Sequence, residues 1–398
     1  MRSLLLAATA AICAAGALAQ PLDLSKADGT IRIATYNVSL NRREPGALAA
    51  ELAAGAHPQI DQVVAVLRQV RPDVLLLNEV DYDDSGAVLA AIKALLAADR
   101  ADAANDAGGI AYPHHFLAPS NTGIASGLDL DRDGQVEGPG DAWGFGFFPG
   151  QYGMAVLSRF PIDQDAARTF QSFRWADLPN HRIPLDYYGA EIAAALRLSS
   201  KSHWDLPVTL PGGEVLHVLA SHPTPPVFDG PEDRNGRRNA DEVMFWLHYI
   251  EGAGPWLGDD QGRAGGLNAG AHFAIMGDLN LDPNDGDGIK AVGNALVSHP
   301  LLLDPMPAAV GGAAAAMAQG GKNPAHSGDP RHDTADFADT QDWASGNLRV
   351  DYVLPSQTLT VTGAGVFWPA PDEANAALLL AGDQPASDHH AVWVDVLP

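Results

Sequence analysis

Asp278 and Asn280 are the first residues whose types and spacing suggest chemistry. They follow an apolar run, His272-Phe273-Ala274-Ile275-Met276-Gly277, of the kind that forms a buried strand ending at a sheet rim. In an extended chain residues two apart face the same side, so a carboxylate and an amide meet just beyond the strand's carboxyl end. There the carboxylate can orient or deprotonate a water while the amide holds an oxyanion or a metal ion. Taken alone, the segment is better explained as a strand followed by an Asx turn. Asp278 gains weight because other apolar strands also end on polar residues: Asn37, Glu79, His222, Asp351, Asp388 and His389. Together these offer an acid, a base, hard oxygen ligands for a divalent cation and a His-Asp pair. A non-catalytic protein has little reason to carry the full set.

The elements that must position them are legible in outline. Ile31 to Val38 reads as a strand rich in β-branched residues and delivers Asn37 near its end. Gly46 to Ala54 reads as a short helix. Ile60, Val63, Val64, Leu67 and Val70 recur at helical spacing until Arg71-Pro72 stops them. Asp73 to Leu77 is a short strand delivering Asn78 and Glu79, and a second alanine-rich helix spans about Ala87 to Ala98. Strands are expected at Gly153 to Ser158, Ala190 to Leu198, Val215 to Ser221, Val350 to Leu354 and Ala391 to Val396, with a helix over Asp241 to Ile250. Residues 163 to 186 are expected to be irregular. Residues 101–148 and 305–346, rich in Gly, Asp, Ala and Pro, read as two long loop insertions. No linker divides two cores, so one domain over residues 20–398 is expected.

Composition bounds the setting. Met1-Arg2-Ser3, the apolar run to Ile12 and the close Ala17-Leu18-Ala19 make residues 1–19 a secretory signal peptide. That predicts an exported protein, periplasmic or extracellular, with no stable membrane insertion. The one cysteine, Cys13, lies inside that leader, so any metal in the mature chain must be held by oxygen or imidazole. With 49 acidic against 24 basic residues the net charge is -25, which gives no broad basic footprint for nucleic acid. An enzyme that recruits an anionic substrate through a bound cation remains compatible with it. A monomer is expected.

Inside the first insertion, Asp129, Asp131 and Asp133 alternate before Gly134, as in the first half of a calcium loop. The twelfth position is Gly140 rather than an acid, so a complete EF-hand is not supported. A structural Ca2+ in the 129–137 loop is expected all the same. Arg234, Arg237 and Arg238 could bind a second phosphate, although a salt-bridge cluster at a helix start explains them better. The aromatic run from Trp143 to Phe148 could meet a bilayer or pack onto the core.

The polar strand ends carry a resemblance. Thr35-Tyr36-Asn37, Asn78-Glu79, Tyr152 to Arg159 (YGMAVLSR), Ser221-His222, Gly277-Asp278-Leu279-Asn280, Arg349-Val350-Asp351-Tyr352-Val353 and Ser387-Asp388-His389 make the chain similar to the endonuclease/exonuclease/phosphatase superfamily. The resemblance runs from residue 31 to residue 396 and implies an α/β fold, a four-layer α/β/β/α sandwich with the site at one rim of the packed sheets. It implies a divalent-metal-dependent phosphoester hydrolase, with a nuclease or phosphodiesterase as first expectation. A sphingomyelinase-type lipid phosphodiesterase or a phosphomonoesterase is the alternative, and a catalytically idle calcium-binding scaffold is the non-enzymatic one. The resemblance makes Glu79 the main ligand to Mg2+ or Mn2+, helped by Asn37, with Asp388 a further acid at that site. It makes Asp278 the residue that orients or deprotonates water, with Asn280 beside it contacting phosphate or metal. His389 would hydrogen-bond the scissile phosphate while Asp351 fixes its tautomer. His222 stands where some members use a histidine as general acid. A phosphoester substrate, nucleic acid among the candidates, is the expected partner.

Overall fold

The computed structural model describes residues 22–55, 57–99, 107–341 and 344–398. The signal-peptide assignment and Cys13 lie outside them. Strands β1 (Ile31–Leu40), β2 (Val74–Val80) and β4 (Gly153–Ser158) are buried along nearly their whole length, as strands covered on both faces are, while β3 (His114–Leu117) is a partly exposed edge strand. The amphipathic helices α1 (Ala47–Ala54), α2 (Pro58–Val70) and α3 (Ala87–Ala97) lie between them in the chain. The second half begins with β5 (Arg168–Thr169), α4 (Leu185–Ala195), β6 (His203–Thr209), β7 (Val215–Ser221), α5 (Arg234–Ile250), β8 (His272–Asp278), α6 (Lys290–Val297) and α7 (Val310–Gln319). A ribbon of β9 (Ala335–Asp336) and β10 (Asn347–Leu348) precedes β11 (Asp351–Pro355) and β12 (Thr360–Val366). A second ribbon, β13 (Leu380–Ala381) and β14 (Gln384–Pro385), leads into β15 (Val392–Leu397).

Two sheets result, one ordered β12-β15-β1-β2-β4-β3 and the other β11-β8-β7-β6-β5. Ile33, Val74, Leu76 and Val156 of the first sheet pack on Leu206, Val218, Ala274 and Met276 of the second. Ile60, Val64 and Leu67 of α2, with Leu89 and Ile92 of α3, cover the first sheet's other face. Val243, Trp246 and Ile250 of α5 cover the second sheet with Leu196, Val292 and Leu296. The layers are therefore α/β/β/α, as expected.

Several local expectations are corrected. Residues 190–198 are not a strand: Leu185–Ala195 is helical, kinked at Gly189, because a short alanine-rich apolar run has no periodicity that separates buried strand from buried helix. β6 was not foreseen, since Asp205 and Pro207 interrupt its sequence. Asp205 accepts from the Tyr249 hydroxyl at 2.5 Å, and the short β5 covers β6 only at Asp205 and Trp204, away from Pro207. The insertions also carry regular structure, with β3 completing the edge of the first sheet and α7 packing near Trp368.

His203 on β6 is fully buried against Phe245 and Trp246, its ring bonded to the Ser199 hydroxyl at 2.6 Å and the Glu242 carbonyl at 2.9 Å. Burial pulls its pKa down from 6.5 to about 4, and that of His390, stacked on Trp368, to about 3. The unfolded chain takes up these protons first, so stability is complete above pH 6.5 and is lost as pH falls toward 4. Thermal unfolding across that window should show the decline, worth about a few kcal/mol per histidine, and His203→Gln should reduce it by one histidine's share. A flat profile for the unsubstituted protein would contradict this assignment.

Candidate active site

The polar strand ends meet where the two sheets face each other. On the first sheet Asn37 of β1 is register partner to Asn78 of β2, and on the second Asp278 of β8 is register partner to Asp351 of β11. Asn37 Nδ2 donates to Asp278 Oδ2 at 3.0 Å, and the Asp278 N–H donates to Asn78 Oδ1 at 3.2 Å. These bonds cross from sheet to sheet. Gly277 permits the approach: its φ is 141°, and a Cβ there would lie 2.0 Å from the Ser221 carbonyl oxygen. Ser39, Glu79, Tyr152 and Asn280 all have positive φ, and the β1–β2 and β2–β4 ladders slip register beside them. Such strained conformations re-aim side chains at strand ends and persist only when the surroundings over-determine them.

Two imidazoles flank the Asp278 carboxylate. His222 Nε2 lies 3.3 Å and His389 Nε2 3.6 Å from Oδ2, while Oδ1 accepts the Asn280 N–H at 3.0 Å. His389 Nδ1 bonds Asp351 Oδ2 at 2.8 Å, and that same oxygen accepts the Thr334 hydroxyl at 2.8 Å. Burial would push the Asp278 carboxyl up, but His389, His222 and Asn37 outweigh it and hold the group well below the usual carboxylate range. Burial likewise opposes protonation of His389, and the carboxylates of Asp351 and Asp278 override it, raising the imidazole well above 6.5. Burial and the Lys201 charge pull His222 down to about 4. His222 is thus neutral at pH 7 and donates toward Asp278, while His389 is an imidazolium.

Beside this group stands a pair of acids. Glu79 is raised by burial and then by the charge of Asp388, while His389, Lys201 and a hydrogen bond from Asn37 partly offset the rise. Asn41 Nδ2 bonds Glu79 Oε2 at 2.7 Å, and Ser39 Oγ bonds Asp388 Oδ1 at 3.1 Å. A buried carboxyl raised in part by the charge of a neighbouring acid, with an amide alongside, suits a hard divalent cation. Asp278, Asp351 and His389 form a second group whose ligand atoms lie within 4.8 Å of one another.

Glu79 also lines a cavity of about 740 Å³ together with Tyr152, Lys201, Trp175, Phe145 and Phe228. Lys201 and Glu242 were not foreseen as site residues. Lys201 is buried, which lowers its pKa against the opposing charges of Glu79, Glu242 and Asp278. Glu242 accepts the Ser200 N–H at 2.7 Å and the Thr224 N–H at 2.6 Å, bracing the segments that carry Lys201 and His222. The available signal was Asp241-Glu242 leading straight into the bulky face of α5. Asn280 Nδ2 donates to the Pro223 carbonyl at 3.2 Å, tying the strand end to the chain after His222.

The arginine cluster opens α5, which begins seven residues earlier than expected. Arg238 donates to the carbonyls of Trp143, Arg197, Leu198 and Ser199, and Arg234 pairs with Glu232. Both brace the scaffold and also line the larger cavity, while Arg237 lines a smaller one with His181 and Asp233. Within the aromatic run Phe148 is buried, whereas Phe145 and Phe147 are 57% and 62% exposed. Asp129, Asp131 and Asp133 stand together in the first insertion, with oxygens within 4.8 Å of one another.

The profile described as Endonuclease/Exonuclease/phosphatase family matches residues 34–389. The chain belongs to the endonuclease/exonuclease/phosphatase family. Its members are divalent-metal-dependent phosphoester hydrolases, and this chain is an enzyme of that class. Among solved structures it is similar to an endonuclease/exonuclease/phosphatase from Beutenbergia cavernae DSM 12333, at 19% identity over 92% of this chain and 71% of that one, TM-score 0.51. It is also similar to the mannosyl-6-phosphatase of Bacteroides thetaiotaomicron VPI-5482, at 12% identity over 92% and 100% of the chains, TM-score 0.46. The human nocturnin catalytic domain aligns at 14% identity over 92% and 93%, TM-score 0.44. No curated protein matches. Among the described residues no helix is long and apolar enough to cross a membrane.

The electrostatics of this family site make a spectroscopic prediction. At pH 7, ¹⁵N NMR of the imidazoles should find His389 doubly protonated and His222 neutral, and Asp351→Asn should lower the His389 pKa. A neutral His389 in the unsubstituted protein would contradict the assignment.

Proposed function

We propose that the protein is an exported phosphodiesterase that holds magnesium or manganese on Glu79, Asn37 and Asp388. When bound, the ion neutralises charge on the phosphoryl group and lowers the pKa of water. Asp278, ionised and locked by its donors, orients a water for in-line attack at phosphorus and accepts its proton as the bond from phosphorus to the leaving oxygen breaks. His389, a cation through its pairing with Asp351, donates from Nε2 to a phosphoryl oxygen as negative charge develops there. His222 fixes Asp278 from the other side and stands ready to relay a proton to the leaving oxygen. The single observation that carries this reading is the placement of Asp278 Oδ2 at 3.3 Å from His222 Nε2 and 3.6 Å from His389 Nε2.

Substrate preference follows from charge and shape. A net charge of -25 weighs against long polyanions. The cavity, lined by aromatic residues and Lys201, suits a small diester with a bulky apolar or planar substituent. The same cavity makes a lipid phosphodiester of the sphingomyelin kind the second reading. Retention of Asp278, Glu79 and His389 weighs against an idle calcium-binding scaffold. Export rests on the leader at residues 1–19, and a secreted or periplasmic form beginning at Gln20 is expected.

With magnesium or manganese, the mature protein should hydrolyse bis(p-nitrophenyl) phosphate faster than p-nitrophenyl phosphate, plasmid DNA or RNA, and a chelator should abolish this. Asp278→Asn and His389→Ala should each lower kcat by about 10²- to 10⁴-fold without loss of fold. Faster turnover of the monoester, or of nucleic acid, would reassign the substrate. Unchanged activity in His389→Ala would overturn the site.

A further inference from the structure

Among the described residues, the first insertion holds four aspartates that the reaction does not use. The alternating oxygens of Asp129, Asp131 and Asp133 lie within 4.8 Å of one another, ahead of Gly134 at φ 90°. Gly140 stands where a twelve-residue calcium loop would carry its closing acid, and the next residue is Asp141. Asp141 is 2% exposed; its Oδ1 accepts the Leu130 N–H at 2.6 Å and the Asp131 N–H at 3.4 Å, the two peptide groups threaded between the alternating acids. Its other oxygen, Oδ2, is buried and has no hydrogen-bond partner, and neither has Oδ1 of Asp129. Among the described residues no salt bridge reaches any of the four. A buried carboxylate oxygen with no donor is unfavourable unless a cation meets it.

We propose that Asp129, Asp131, Asp133 and Asp141 bind one calcium ion, with Asp141, displaced by one position, closing the loop in place of the missing twelfth acid. An all-oxygen set of four carboxylates favours calcium over the smaller magnesium and over nitrogen- or sulfur-seeking metals. The loop is tied to the rest of the molecule: Leu130 is in the core, and the Tyr187 hydroxyl donates to the Asp131 carbonyl at 2.9 Å. Leu130, Asp131, Pro139, Gly140, Ala142 and Phe145 line the same cavity as Glu79 and Lys201. Calcium therefore sets the shape of the substrate cavity and acts on KM rather than on the chemical step. The coupling to KM rests on the phosphodiesterase reading; the calcium site itself does not.

Chelator-treated mature protein, titrated calorimetrically with calcium chloride and followed by thermal unfolding, tests both parts. A calcium-binding event is expected that raises Tm, that magnesium at the same concentration does not reproduce, and that Glu79→Gln leaves intact. Asp141→Asn should weaken that event at least 10-fold, and so should Asp131→Asn, which alters an exposed residue and keeps the fold. At saturating magnesium, calcium should lower KM for the diester several-fold with kcat nearly unchanged. Equal calcium binding by Asp141→Asn and the unsubstituted protein would overturn the role of Asp141. Loss of the event in Glu79→Gln alone would place the ion at the hydrolytic site and overturn the proposal; binding without any change in KM would overturn the coupling.

Discussion

The structure turns on one buried carboxylate shared between two sheets. Away from the rim the sheets are joined by aliphatic packing, which has no directional preference. At the rim Asp278 replaces it, bonded to Asn37 and Asn78 of the opposite sheet and flanked by His222 and His389. An ionised carboxylate at 1% exposure is stable only if its lone pairs are largely met, so each donor's position contributes to the stability of the rim. The same donors fix where charge can develop during hydrolysis. Stability and chemistry thus draw on a common set of contacts.

The surrounding backbone shows what this arrangement costs. Ser39, Glu79, Tyr152 and Asn280 occupy left-handed conformations at the ends of otherwise regular strands, and Gly277 presses against the Ser221 carbonyl. Buried braces hold these turns. Glu242 anchors the peptides of Ser200 and Thr224, and Ser387 Oγ donates to the Asn37 carbonyl at 2.7 Å. Arg238 gathers the carbonyls of Trp143, Arg197, Leu198 and Ser199, joining the first insertion to the segment that carries Lys201. The cavity wall is therefore fastened to the same scaffold as the reacting groups.

Much of this was legible in the sequence for a physical reason: strand-terminal polar residues after apolar runs are conspicuous. Asn37, Glu79 and Asp278 lie near the ends of such runs while Asp351 and His389 lead into theirs, and the structure gathers them at one rim. Lys201 escaped because it sits in a Ser-rich connection with no periodicity to flag it. Glu242 escaped because a buried carboxylate on a helix resembles an exposed one until its partners, two backbone N–H groups on distant segments, are known. Asp141 lay one place beyond the position that loop spacing assigns, and only the packing of residues 129–141 shows its carboxylate turned back onto the loop. β6 and α4 failed for the opposite reasons, the former broken by Asp205 and Pro207, the latter too uniformly apolar to reveal a period.

Two groups near the rim could in principle hold the hydrolytic metal, and their separation gives the most direct test. Asp278, Asp351 and His389 are occupied with one another, as the 2.8 Å bond from His389 to Asp351 shows, whereas burial and the charge of Asp388 raise Glu79, which a cation there would relieve. Crystals soaked in manganese and measured at its absorption edge would locate the ion by anomalous scattering. The account predicts a peak bridging Glu79, Asn37 and Asp388, with the His389–Asp351 bond intact. A peak coordinated instead by Asp278, Asp351 and His389 would contradict it, because those residues could then not serve as water-orienting carboxylate and phosphoryl donor.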